Sequence, residues 1–314
     1  MNLKFLRAQL LQSKQTFNSV LLKLGLKERE NSGPIAVLTE SKTAMVGLVI
    51  ILSVLIVAIL SPLVSPYNPL EVNMGIRLQS PSWSHILGTD VLGRDVLSRI
   101  LWGSRVSLLV GAISVSIGLF IGVPLGLISG YYLGKIDYFI SRVTDILLSF
   151  PSIILALAIA AGLGVSIIKA MTAVGIVMAP RFIRLTRGVV ISVRENEYIQ
   201  AAKASGARDS SIIIKHVLPN SLAPLVVQAT ISLAFAIIIE ASLSYLGLGV
   251  QPPIPSWGSM ISDGRSYLRN APWISTFSGI SIMITVLGFN LFGDGLRDAL
   301  DPRLRGLTGG KNNE

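Results

Sequence analysis

An all-α polytopic bundle with six membrane crossings is the fold class this 314-residue chain predicts, and three observations predict it. Charged residues make up 14% of the chain and hydrophobic ones 51%, with a mean hydropathy of +0.65. A soluble domain carries about 25% charged residues, so this chain lacks the polar surface that water requires. Six apolar intervals reach or approach the roughly 20 residues that cross hydrocarbon. The Lys and Arg residues gather beside those intervals on one side, as the positive-inside rule expects, so the net charge of +10 reads as a membrane signature and not as a nucleic-acid-binding face. Zero Cys excludes disulfides, thiolate metal sites and cysteine nucleophiles.

Residues 1–42 form a basic tail. Leu3, Leu6, Leu10, Phe17, Leu21 and Leu24 share one helical stripe, which fits either an interfacial helix ending near Gly25 or a polar tail. The first span covers about 44–62, and Pro62, Pro66 and Pro69 close it. An external segment follows to Ser104. In it Thr89 or Asp90 is placed to cap a short surface helix, with Asp90–Arg94 and Asp95–Arg99 as i,i+4 pairs. The second span, about 106–129, carries Gly118, Gly122 and Gly126 four residues apart, a ridge for close helix packing. The third span is expected over 139–161 as one helix, with Arg142 and Asp145 paired near its start. Gly162 and Gly164 turn the chain into a fourth span over 165–182, whose exit bears Arg181, Arg184, Arg187 and Arg194. A polar interval leads to the fifth span, about 222–246. A proline-rich stretch then precedes the sixth, about 273–292. Six crossings put both termini on one side, and the basic residues make that side cytoplasmic.

The polar interval organises the rest. Glu197 to Ala204 reads as a short helix on which Ala201, Ala202 and Ser205 make a small-residue face, with Tyr198 one turn back and Gly206 as the stop. A second helical segment runs from Arg208 to His216 and ends at Pro219. Such a face fits into a partner's groove. The spacing Gln200-Ala201-Ala202, Gly206, then Leu218-Pro219 resembles the EAA loop of ABC-transporter permeases. Gln200 stands where that family usually has Glu, and His216 where it usually has Ile. Further pieces resemble the C-type permeases of dipeptide, oligopeptide and nickel importers: Gly88-Thr89-Asp90, Leu92-Gly93-Arg94-Asp95, Glu240-Ala241-Ser242-Leu243-Ser244-Tyr245, Pro255-Ser256-Trp257-Gly258 and Gly293-Asp294-Gly295-Leu296-Arg297-Asp298.

The resemblance implies a MetI-like permease domain over 105–296, containing a cytoplasmic coupling loop at 190–217. An extra N-terminal span and external segment (43–104) precede it, and a cytoplasmic tail (297–314) follows. It implies that Glu197, Tyr198, Gln200, Ala201, Ala202 and Gly206 meet the ATPase. It also implies a second permease subunit in a heterodimer, two cytoplasmic ABC ATPases and an external solute-binding protein, with no cofactor in this chain and no nucleic-acid partner. ATP hydrolysis then lies elsewhere: the Gly306 to Asn312 run is too short for a Walker A loop and lacks its Ser or Thr. His85 and His216 sit in no metal-ligand spacing.

Secondary transport is the alternative, and it turns on charges inside the spans. Glu240, Lys169, Asn290 and Asp294 are the translocation or gating candidates. Glu240 is expected either to be satisfied locally by Ser242, Ser244 or backbone amides, or to pair with Lys169.

Overall fold

The computed structural model describes residues 34–300, and among these the regular elements are all helices, with one isolated bridge between Thr89 and Asp95. The expected stripe at 3–24 and the tail beyond 300 lie outside the described residues. α1 (Pro34–Glu40) leads into α2 (Lys42–Val64), which Ser41 caps through the Ala44 amide. α3 (Val96–Tyr132) is 37 residues long, about 55 Å at 1.5 Å per residue. α4 (Gly134–Ser149) and α5 (Ser152–Leu163) follow, then α6 (Ile167–Arg194), α7 (Glu197–Ala204) and the single turn α8 (Asp209–Ile212). α9 (Leu218–Tyr245), α10 (Trp257–Gly264) and α11 (Trp273–Leu300) complete the described chain.

Among the described residues four helices are long and apolar enough to cross a membrane: α2, α3, α11 and the continuous run Asp209–Tyr245. The pair α4–α5 makes a fifth if its halves count as one span. α6 fails on composition because Lys169, Arg181, Arg184 and Arg187 crowd it, yet its packing places it in the same layer. Extra methyls on Gly118, Gly122, Gly126 and Gly130 of α3 would meet Met178, Phe182, Thr186 and Val190 of α6 in turn. Both sequences rise together along the contact, so the helices run parallel and α6 traverses the depth that α3 does. The glycine ridge expected from sequence is this interface. A Cβ on Gly122 would lie 2.5 Å from that of Phe182, whereas one on Gly188 would meet nothing within 4 Å. Gly122→Leu should therefore destabilise the bundle by about 1–3 kcal/mol, as overpacking does, with Gly188→Leu near neutral. Thermal unfolding in detergent checks both.

α2 attaches differently. Gly47 meets the backbone of Gly288 and Phe292, and Gly295 meets Ala44, so α2 and α11 run antiparallel at close approach. The central core joins α3, α5, α6 and α9 through Val115, Ala156, Val174, Phe182 and Ile239.

Several expectations need correction. The third span is not one helix: α4 and α5 meet at 98°. Pro151 has no N–H to continue the ladder, and it pushes Phe150 out of helical geometry to φ −87°, ψ 140°. The surface helix expected from Thr89 or Asp90 is absent. Asp90 instead accepts the Leu92 and Arg94 amides in a loop that turns at Gly93 (φ +72°), and Asp95 caps α3 through the Ser98 amide at 2.7 Å. Asp90–Arg94 pairs at 2.6 Å, but Asp95 turns to His85 at 2.9 Å and leaves Arg99 to Asp90 and Asp263. Arg142 and Asp145 do not pair. Asp145 takes Arg184 at 2.7 Å, and Arg142 donates to the Tyr138 hydroxyl. The second helical segment of the polar interval does not stop at Pro219. It passes through a π-type turn (Ile213–Val217) into α9, because Pro219 cannot bond the carbonyl one turn back and the ladder widens by a residue there.

Candidate functional site

The two ends of α3 carry different constructions. At its C-terminal end, α7 and α8 form a hairpin held against α3 and α6. α7 ends in a Schellman motif: the Ala207 amide bonds the Ala202 carbonyl at 3.1 Å and the Gly206 amide bonds that of Lys203 at 2.9 Å. Gly206 holds the left-handed conformation this requires, at φ +78°. The inner face of the hairpin is apolar. Ile199, Ile212 and Val217 are fully buried against Leu127, Tyr131, Val190 and Val193.

Tyr131 is the fastening point. Its hydroxyl donates to Asp209 at 2.7 Å, its ring lies 4.8 Å from the Lys203 ammonium, and its carbonyl accepts from Arg194 at 2.8 Å. Beside it, Arg187 grips Asp137 through two bonds of 2.6 and 2.8 Å, while Ser129 and Ser141 donate to the same carboxylate. These contacts tie α3, α4, α6 and the hairpin into one body. The Tyr131–Asp209, Tyr131–Arg194 and Asp137–Arg187 contacts join residues 50 to 78 positions apart, and no local pattern marks them.

The opposite face of α7 is left open. Glu197, Tyr198, Gln200, Ala201, Ala204, Ser205 and Gly206 are exposed, whereas Ala202 is half-buried against the core of the hairpin. The small-residue face expected from sequence is thus narrower, with Ala201 and Ser205 outward and Ala202 turned inward. Gln200 donates to the Arg194 carbonyl at 3.3 Å. The Tyr198 hydroxyl accepts from Asn220 at 3.2 Å, near the His216 ring.

At the other end of α3 the chain closes round Glu240. This residue is 1% exposed. One carboxyl oxygen accepts from Ser244 at 2.7 Å, and Ser244 accepts the Val250 amide as the chain folds back. The hydroxyls of Ser107 and Ser256 face the carboxyl from α3 and from the cap of α10. Gly258 lies against Ala241 and Ser244, and the Trp257 indole donates to the Ile100 carbonyl at 3.1 Å. The three motif pieces around Glu240, Trp257 and the start of α3 are therefore one joint. Outside it, Arg94 and Arg99 sit between Asp90 and Asp263, and burial pushes the Asp263 carboxyl up against the pull of both arginines.

Of the four gating candidates only Glu240 is buried. Lys169, Asn290 and Asp294 are exposed, and among the described residues no hydrogen bond or ion pair joins any two of the four. The local reading of Glu240 is the one the structure bears out, with Ser244 and not Ser242 as its partner. Among the described residues no ion pair reaches the carboxyl, and its second oxygen is buried without a hydrogen-bond partner. Glu240→Gln should keep near-normal stability and transport. Glu240→Lys should prevent assembly, since a charge within a span costs ~2.5–3.5 kcal/mol at the centre. Exchange with Lys169→Glu should give additive damage. A folded but inactive Glu240→Gln protein would show that the carboxylate itself acts.

A bundle of membrane-spanning helices that fastens a helical hairpin by its apolar face and leaves the other face exposed defines a class, the polytopic membrane protein with a surface hairpin. Comparison with known proteins gives the family. Residues 122–306 match the binding-protein-dependent transport system inner membrane component, and residues 36–81 match the N-terminal TM domain of oligopeptide transport permease C. The chain belongs to this family of inner membrane transport components.

It is 52% identical over 268 residues to the dipeptide transport system permease protein DppC of Alkalihalophilus pseudofirmus, covering 85% of this chain and 88% of that protein. The di/tripeptide transport system permease protein DppC of Pseudomonas aeruginosa is 44% identical over 272 residues, covering 85% and 90%. Inward-facing structures of the MetNI methionine ABC transporter share the fold. One has a TM-score of 0.55 at 22% identity, covering 65% of this chain and 97% of that one. The MetI-like expectation holds. The chain is a non-enzymatic, multi-pass permease subunit of an ABC importer, and these relatives do not favour secondary transport.

Proposed function

We propose that this subunit forms half of the translocation path for dipeptides or short oligopeptides, paired with a second permease and fed by an external binding protein. Two ATPase subunits complete the complex, and one of them docks on the exposed face of α7. Both termini and the hairpin lie in the cytoplasm, and the Glu240 joint lies on the outer side. The observation that supports this most directly is the hairpin: apolar and fastened on one face, small and open on the other. ATP-driven closure of the ATPases then moves α7 as a rigid piece, and the spans rock with it.

The natural absence of Cys makes the test clean. A single cysteine at Ala201 or Ser205 should cross-link to an ATPase partner, and one at the buried Ile199 should not. For orientation, a cysteine at the exposed Ser80 should react with an impermeant reagent added outside cells, and one at Ser210 only after permeabilisation. Labelling of Ser210→Cys from outside would overturn the orientation.

A further inference from the structure

A cavity of about 640 Å³ opens where the end of α2, the first turns of α3 and the loop at 254–255 meet. It lies at the end of the bundle opposite the hairpin. Pro62, Val106 and Ile254 give it apolar walls. Set into them are three groups that can donate. The Trp102 indole N–H and the Ser65 hydroxyl are buried atoms with no hydrogen-bond partner. Arg105 lines the same space, its guanidinium 5.3 Å from the Trp102 ring, with no carboxylate in ion-pair range among the described residues. No acidic side chain lines the cavity. Buried donors without acceptors are rare in folded chains, and here two converge beside an unpaired cation.

We propose that this cavity binds the phosphate headgroup of a phospholipid, with Arg105 and the Trp102 indole as its principal donors. A guanidinium matches phosphate oxygens in paired fashion, and the indole supplies a single donor beside it. The depth suits a lipid: the apolar run of α2 stops at Val64, one residue before Ser65, so the donors stand at the level where a span meets headgroups. Below Arg105 on the same face of α3, Leu109, Ile113 and Phe120 are exposed, a track for acyl chains. Assignment to the outer leaflet rests on the orientation proposed above. The phosphate chemistry does not.

The test uses the assembled transporter in phosphatidylcholine nanodiscs containing a photoactivatable phosphatidylglycerol. Cross-linking should fall on the segment that contains Trp102. It should drop about fivefold or more in Arg105→Gln combined with Trp102→Phe, as expected for loss of a basic headgroup contact, and should drop likewise in Ile254→Trp, which fills the cavity. Unchanged thermal unfolding of these variants shows that the fold persists. Undiminished labelling in both variants overturns the proposal. Displacement of the label by free dipeptide reassigns the site to a peptide carboxylate, and displacement by inorganic phosphate reassigns it to a soluble anion. Labelling requires no ATP or substrate, so failure of peptide transport in the wild type would count against the permease reading and leave this result standing.

Discussion

Gly206→Val is expected to leave the transporter assembled while uncoupling ATP hydrolysis from peptide uptake. The residue sits at φ +78°, where an L side chain costs about 1–2 kcal/mol and a β-branched one more. Loss of that geometry opens the Schellman motif that fixes the end of α7, so the exposed face no longer presents one shape. About 1.4 kcal/mol shifts an equilibrium tenfold, so uptake in proteoliposomes should fall at least that far while basal hydrolysis remains. A Cβ at this position meets nothing within 4 Å, so the defect is one of backbone and not of crowding within this chain. Gly206→Asn, which tolerates the left-handed region, should recover much of the activity. Normal binding-protein-stimulated transport by Gly206→Val would sink the assignment of the hairpin as the coupling element.

Tyr131→Ala should be more damaging to the fold itself. Truncating a fully packed aromatic ring costs about 3–5 kcal/mol, and this ring also carries the Lys203 contact and positions the hydroxyl that holds Asp209. The hairpin should come loose from α3, seen as faster proteolysis between residues 195 and 217 and as hydrolysis unresponsive to substrate. Tyr131→Phe keeps the ring and removes one hydrogen bond, so a loss of about 0.5–1.5 kcal/mol is expected. Equal damage from Phe and Ala would mean that the hydroxyl, and not the packing, holds the hairpin.

Hydropathy made α2, α3, α9 and α11 legible in the sequence, because in these helices length and apolarity coincide. The glycine ridge on α3 was legible too, since a spacing of four has one cheap use in a bundle. Pro151 was visible, but it lies within an apolar run long enough to cross, and hydropathy averages over a break that backbone chemistry enforces. Thr89 and Asp90 read as the caps of a short helix, whereas Asp95 is the residue that caps α3, a choice local spacing does not reveal. The choice falls to His85 and Asp263, which reach this loop only in the fold. At the hairpin, Gly206 and the outward Ala201 could be read in advance, since turn and period are local properties. Tyr131 and Asp137 could not, because each looks like an ordinary residue at a helix end until Asp209 and Arg187 arrive from far along the chain.

The charges on α6 bear on how the chain enters the bilayer during synthesis. An arginine at the centre of an inserting helix costs ~2.5–3.5 kcal/mol, and α6 carries several, so it is a poor candidate to leave the translocon alone. Its arginines have their partners elsewhere: Arg187 on Asp137, Arg184 on Asp145, and Arg181 beside Ser152 and over the Phe235 ring at 4.2 Å. Asp137, Asp145 and Ser152 are synthesised first, so α4 and α5 can wait at the exit site as a polar lining for α6. Phe235 comes later and seals the arrangement when α9 arrives. Removing Asp137 should therefore trap α6 before insertion, visible as glycosylation of an acceptor site engineered after Arg194.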